Sequence, residues 1–246
     1  MTSRATSATS EPALGARAVY LQKFQRNPFR NREQERVRQA CFAIIGLGGT
    51  GGYMLENLLR LGAERFMIFE DDRTTLSDFN RQILAIDKNI DQPKSESARS
   101  RASAINTSAI LDIRGRFTKK SKLPGADVVL DGSDNIETKH LTAQKSRASS
   151  LPYVFCSAQG TRGIVTVFHG YPFRKAFQLQ NPKTSAPGPE RYKRCSSITC
   201  PAAMIAGSLA ASQAVNALLK KAHIKAPQAI FFDLNKENPF WRAELG

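Results

Sequence analysis

The run Phe42-Ala43-Ile44-Ile45-Gly46-Leu47-Gly48-Gly49-Thr50-Gly51-Gly52 limits what this chain can fold into more than any other stretch. Its first four residues are too densely apolar for an exposed strand, so the run opens as a buried parallel strand. It then breaks into glycines. Gly46, Gly48 and Gly51 fit G-x-G-x-x-G, with Gly49 and Gly52 as extras. Met54, Leu55, Leu58, Leu59 and Leu61 follow at helical spacing, and Gly62 stops the helix. Strand, glycine turn and helix form the setting a phosphate cradle needs. Glycines let the backbone approach phosphate, and a helix N-terminus offers free N–H groups and partial positive charge. A second apolar run, Phe66-Met67-Ile68-Phe69, ends in Glu70-Asp71-Asp72. An acid at the end of the second strand is where a ribose hydroxyl is bound. The pattern predicts an α/β fold and a nucleotide site.

At 246 residues the chain can build one large α/β domain with a full core. No apolar run is long enough to span a membrane. The four cysteines, Cys41, Cys156, Cys195 and Cys200, form no C-x-x-C pair and are too few for a disulfide scaffold. That usage points to a reducing cytoplasm. Lys and Arg outnumber Asp and Glu by 36 to 21, a net charge of +15. Such a surface suits an acidic partner, whether protein, RNA or the nucleotide itself.

Residues 1–18 are rich in Ser, Thr and Ala and lack a core pattern, so they read as a disordered tail; the composition also suits an organelle transit peptide. Residues 19–246 read as a single domain. From 19 to 41 the sequence predicts a loop and a short polar helix leading into the first strand. Arg26, Arg30 and Arg32 there compete as arginines able to reach a phosphate. Beyond the acidic strand end come Asp78, Asn80-Arg81-Gln82 and Gln92-Pro93-Lys94. Pro93 suits a first helical turn, and Ala98, Ala102 and Ile105 continue on one face. Arg81 and Lys94 are cations that could hold phosphates and offset charge as pyrophosphate leaves. Ala126-Asp127-Val128-Val129-Leu130-Asp131 reads as another buried strand, ending in Gly132-Ser133-Asp134-Asn135. Ligands of an open parallel sheet sit at the C-terminal ends of its strands, so Asp134 is aimed at the crevice of the glycine turn. Its carboxylate could hold Mg²⁺ or cap the next helix.

These motifs, in this order and spacing, resemble the ThiF/MoeB/HesA family of adenylyltransferases, related to ubiquitin-activating enzymes. The resemblance runs from about Arg26 almost to the C-terminus. It implies a Rossmann-like fold: a mostly parallel sheet with helices on both faces, extended by antiparallel strands in the second half. It implies a homodimer that binds ATP and Mg²⁺ and adenylates a carboxylate, usually the C-terminal glycine of a small ubiquitin-like sulfur carrier. By resemblance, Gly46, Gly48, Gly49 and Gly51 lie against the nucleotide. Glu70 falls on the ribose-binding acid, with Asp72 close behind. Arg81, supported by Gln82, and Lys94 contact the phosphates, and Asp134 holds the metal. Arg26-Asn27 resembles the N-terminal pair whose arginine reaches the partner subunit's site. Asp78 departs from the family, which usually has asparagine there, and places an extra negative charge near the triphosphate.

In the second half, residues 151–158 and 159–168 read as two strands, and residues 202–219 as a buried helix with small residues for close packing. The family's crossing loop corresponds to residues 181–198. Cys195, preceded by Lys193 and Arg194, cations that would lower its pKa, falls nearest to the cysteine that some members use covalently; Cys200 is its rival. The two C-x-x-C pairs of zinc-binding relatives are missing, so no zinc is expected. The resemblance thus implies an adenylyltransferase acting on an acidic sulfur carrier with a Gly-Gly tail. Two other readings stay open: a tRNA threonylcarbamoyladenosine dehydratase-like enzyme, which the positive charge would suit, and a catalytically degenerate partner subunit.

Overall fold

The computed structural model of the chain describes residues 15–177 and 197–245. One eight-stranded sheet runs in the order β3-β2-β1-β4-β5-β6-β7-β8. Its strands are β1 Cys41–Ile45, β2 Arg65–Phe69, β3 Ile110–Ile113, β4 Val128–Asp131, β5 Tyr153–Gln159, β6 Arg162–Phe168, β7 Gln228–Asp233 and β8 Phe240–Glu244. The first five are parallel. From β5 onward each neighbour is antiparallel. The expected Rossmann-like sheet with an antiparallel extension is therefore what the chain forms.

The helices are α1 Ala16–Phe24, α2 Asn31–Gln39, α3 Gly49–Arg60, α4 Lys94–Ile105, α5 Ile136–Ala148, α6 Phe173–Ala176 and α7 Cys200–Leu218. On one face, Leu55, Leu58 and Leu59 of α3, Ala98 and Ala102 of α4 and the alanines of α7 cover Phe42, Ile44, Val128 and Leu130. On the other, Ala143 and Phe173 cover Ala43, Ile45, Met67, Val129 and Phe155. A strand buried on both faces has no need to alternate, which is why β1 reads as an unbroken apolar run. Each fully buried Ile or Leu contributes about 1.5–3 kcal/mol relative to exposure. Helix α7 packs on α3 through a small-residue stripe: a Cβ on Gly207 would lie 2.5 Å from the Thr50 carbonyl oxygen.

The N-terminal segment differs from expectation. A loop was predicted after residue 18, yet α1 already begins at Ala16. Tyr20 and Phe24 lie one turn apart and both bury at the C-terminal end of α3. The Tyr20 hydroxyl donates to the Gly62 carbonyl at 2.8 Å and accepts from Gln34 at 2.9 Å. Two aromatics do not reveal a helix by periodicity, so packing rather than pattern sets this element. Residues 1–14 lie outside the described residues.

Candidate active site

Strand order reverses between β1 and β4, and the turns that follow these two strands face each other across the resulting crevice. After β1, Gly46 adopts φ +84° and donates its N–H to the Phe69 carbonyl at 2.8 Å. Gly48 caps α3, which begins inside the glycine motif. A Cβ on Gly51 would lie 1.9 Å from the Gly46 carbonyl oxygen. One on Gly132 would lie 2.7 Å from that same oxygen and 2.7 Å from the Gly51 Cα. These three glycines bring the turn after β1 and the turn after β4 into backbone contact. The opening N–H groups of α3 have no partner inside the helix and carry the positive end of its dipole. A phosphate is the complementary ligand. Gly132 was part of a motif in the sequence, but its contact with Gly51 spans 81 positions and left no local signal.

The acidic end of β2 is tied into the same cradle. Glu70 is buried, and its two carboxylate oxygens accept the Leu47 N–H at 2.6 Å and the Asp72 N–H at 2.8 Å. It therefore shapes the glycine turn directly. The Asp72 side chain is exposed, while its carbonyl accepts the Lys94 N–H at 2.9 Å. Thr74 exchanges backbone hydrogen bonds with Asp91 and Gln92, so the loop of residues 72–94 closes and returns Lys94 to the crevice. Glu70, Asp71 and Asp72 bring carboxylate oxygens within 4.8 Å of one another. Glu70 is already engaged by backbone and Asp71 by Arg116 at 2.9 Å, so this trio has structural work.

Arg81, Gln82 and Lys94 do meet, and Asp78 is their common partner. A Cβ on Gly49 would touch the Arg81 stem at 3.4 Å, and one on Gly48 would lie 4.0 Å from Gln82 Nε2. Gln82 Nε2 donates to Asp78 Oδ1 at 2.6 Å. Arg81 Nη2 reaches that oxygen at 3.4 Å, and Lys94 Nζ reaches Asp78 Oδ2 at 3.4 Å. Asp78 is 5% exposed. Burial alone would raise its carboxyl, but the Thr75 N–H, the Lys94 charge and the Thr75 hydroxyl outweigh it and hold the group below its ordinary value. The negative charge that set this chain apart is thus balanced by its neighbours.

On the far lip, β4 ends at Asp131, which is fully buried. Its Oδ1 accepts from the Ser133 N–H at 2.9 Å and its Oδ2 from the Tyr153 hydroxyl at 2.7 Å. Lys139 Nζ lies 3.4 Å from Oδ1 and donates to the Cys156 carbonyl at 2.8 Å. This network sets the turn that carries Asp134, and nothing local in the sequence marked it. Asp134 itself is exposed. Asn135, not Asp134, caps α5: its side chain accepts the Thr138 N–H at 2.8 Å. That leaves the Asp134 carboxylate as an oxygen donor at the C-terminal end of a parallel strand, a donor type that fits Mg²⁺.

Other expected residues lie elsewhere. Arg26 is exposed, and the adjacent Asn27 sits 3.4 Å from the Arg60 carbonyl at the C-terminal end of α3. Twelve helical residues, about 18 Å, separate that end from the glycine turn. Cys195 lies outside the described residues. Cys200 is the first residue of α7, with Sγ 3.0 Å from the Tyr53 hydroxyl. Burial and the Cys200 thiol push Tyr53 up to about 12. Ala203, one turn along α7, lies 3.5 Å from a Cβ placed on Gly49, so this helix end borders the crevice. A cavity of about 160 Å³ lined by His140, Arg147, Tyr153, Phe168 and Phe173 lies at the opposite edge, by the start of β5. Arg81, Gln82, Lys94 and Asp78 gather at the crevice and not there. Among the described residues no helix is long and apolar enough to cross a membrane.

The chain is similar to known proteins over most of its length. The profile of the ThiF family matches residues 20–245. The sulfur carrier protein ThiS adenylyltransferase of Escherichia coli is 30% identical, with 75% of this chain and 74% of that protein aligned. The sulfur carrier protein adenylyltransferase of Thermus thermophilus is 28% identical, over 76% of this chain and 72% of that one. In fold, the crystal structure of E. coli MccB with ATP superposes with a TM-score of 0.73 at 14% identity, covering 91% of this chain and 73% of that one.

Proposed function

The chain belongs to the ThiF family and is an adenylyltransferase, and from that premise we propose that it uses ATP and Mg²⁺ to activate the C-terminal glycine of a small ubiquitin-like sulfur carrier, releasing pyrophosphate. The observation that carries this reading is the convergence of Arg81, Gln82 and Lys94 on the glycine turn, with Asp134 exposed on the facing lip. The cradle fits a polyphosphate because its backbone is bare: side chains at Gly51 and Gly132 are sterically excluded.

In the reaction, the carboxylate oxygen of the carrier attacks the α-phosphorus of ATP. The bond from that phosphorus to the bridging oxygen breaks, and pyrophosphate leaves with the electron pair. Arg81 and Lys94 hold the phosphates and meet the charge that grows on the leaving group. The opening N–H groups of α3 bind a phosphate oxygen without having to reorganise. Asp134 would hold the metal, which supplies further charge neutralisation on the phosphates when bound. Buried Glu70, fixed by two backbone N–H groups, is the acid at the end of the second strand and would face the ribose. An acidic carrier suits a chain with a net charge of +15.

The chain is proposed to act as a homodimer. Arg26 cannot reach the glycine turn of its own subunit across the length of α3, so a role in catalysis requires it to enter a partner's crevice.

ATP–pyrophosphate exchange tests the reading, with wild type and Asp134→Ala, each alone, with acidic Gly-Gly-tailed proteins and with bulk tRNA. The expected result is exchange that depends on a Gly-Gly-tailed protein and is lost in the variant. Exchange with tRNA alone would replace the carrier as substrate. ATP binding without exchange for any donor would identify a partner subunit that has lost the chemistry.

A further inference from the structure

Among the described residues, Asp78 is the acid placed between the two cations assigned to the phosphates. We propose that it is an internal counter-anion, which occupies Arg81 and Lys94 while the crevice is empty, yields them to a polyphosphate, and takes them back when the polyphosphate leaves. The inference rests on reading this crevice as a nucleoside triphosphate site.

The contact lengths carry the argument. Asp78 is anchored by neutral donors: Gln82 Nε2 at 2.6 Å, the Thr75 N–H at 3.0 Å and the Thr75 hydroxyl at 3.2 Å. Both cations sit further off, at 3.4 Å, and on different oxygens. The carboxylate is therefore fixed by groups that need not move, and each cation can depart without dislodging it. Arg81 is prepared for this. Its Nη1 is held by the Ser77 carbonyl at 2.6 Å and by Asn80 Oδ1 at 2.9 Å, which leaves Nη2 as the arm on Asp78.

A neutral residue here would leave two cations in one pocket with no anion until a ligand arrived. Their mutual repulsion and incomplete solvation would then be relieved on binding, and affinity for polyphosphate would be high. With Asp78 present, much of that relief is already spent, so ATP and pyrophosphate bind more weakly and leave faster. An enzyme that must release pyrophosphate in each cycle benefits from that exchange. Asp78 sets affinity and product release through the cations, which makes it a positioning residue.

Calorimetric titration of wild type and Asp78→Asn with ATP, inorganic tripolyphosphate and adenosine tests the proposal. In Asp78→Asn the dissociation constants for ATP and tripolyphosphate should fall on the order of tenfold, with adenosine unchanged and the gain shrinking in high salt. Asparagine keeps a carbonyl oxygen for Thr75, so the variant should melt cooperatively. If it does not, Asp78→Ser, which also retains an acceptor, takes its place with the same expectation. Equal or weaker tripolyphosphate binding by a folded variant overturns the proposal. If wild type and variant bind ATP equally, the nucleotide reading survives and the counter-anion does not. A gain on tripolyphosphate with no ATP binding at all upholds the counter-anion and removes the nucleotide reading.

Discussion

Lys94 and Lys139 are both buried, and each lies 3.4 Å from an aspartate oxygen. The two pairs nonetheless have different work. Lys139 and Asp131 are sealed between β4, β5 and α5. Among the described residues their other polar contacts are internal, to Cys156, Ser133 and Tyr153. Lys94 and Asp78 stand beside a bare glycine cradle and share their acid with Arg81, whose side chain is 27% exposed. The distance of an ion pair therefore says little about its role. What separates a brace from a binding group is whether a ligand can reach the cation and replace its partner.

The largest test of that distinction removes each lysine. Lys139→Met leaves Asp131 enclosed without its cation, which should cost about 3–5 kcal/mol of stability in denaturant unfolding. Lys94→Met should cost far less, because Asp78 keeps Arg81, Gln82 and Thr75. Equal losses would erase the difference between the pairs. Activity should divide the other way: Arg81→Ala or Lys94→Met is expected to lower pyrophosphate exchange by about 10²–10³-fold while the fold persists. A smaller effect comes from Tyr153→Phe, which removes one hydrogen bond to Asp131. Unfolding should register a loss of about 1–3 kcal/mol, with exchange close to wild type.

The smallest effect is in acid. Asp78 is held below its ordinary value of 3.8 when folded, so the stability it contributes is complete above that value and drains away as pH falls through the lower folded value. Glu56 behaves likewise. Burial would raise it, but Arg101 and Arg60 outweigh burial and lower it from 4.5. Unfolding followed from about pH 5 to pH 2 should show Asp78→Asn losing less stability than wild type over that range. Parallel curves would mean that Asp78 is no better stabilised in the folded chain than in the unfolded one.

The crevice was largely legible in the sequence because its parts are local. Gly46 to Gly52, the acid after β2 and the small-residue turn after β4 each announce themselves within ten residues. Arg81 and Lys94 stand out as cations, but their placement at the phosphates came through resemblance, since a single cation has no pattern of its own. What escaped was pairwise and distant. Asp78 looked like an intruder because its charge was visible while its partners were not. Lys139 carries no mark in the sequence, although it faces the sheet. The first helix was missed because Tyr20 and Phe24 gain their meaning only from Gly62 and the end of α3.

The contact among Gly46, Gly51 and Gly132 has a consequence for motion. With backbone against backbone, the two turns at the crevice have no side chain between them to act as a cushion. The Gly132 N–H also donates to the Ile45 carbonyl at 2.8 Å, so moving one turn out breaks its link to the other. Their amide hydrogens should therefore exchange with solvent as a single cooperative unit, with one common opening free energy.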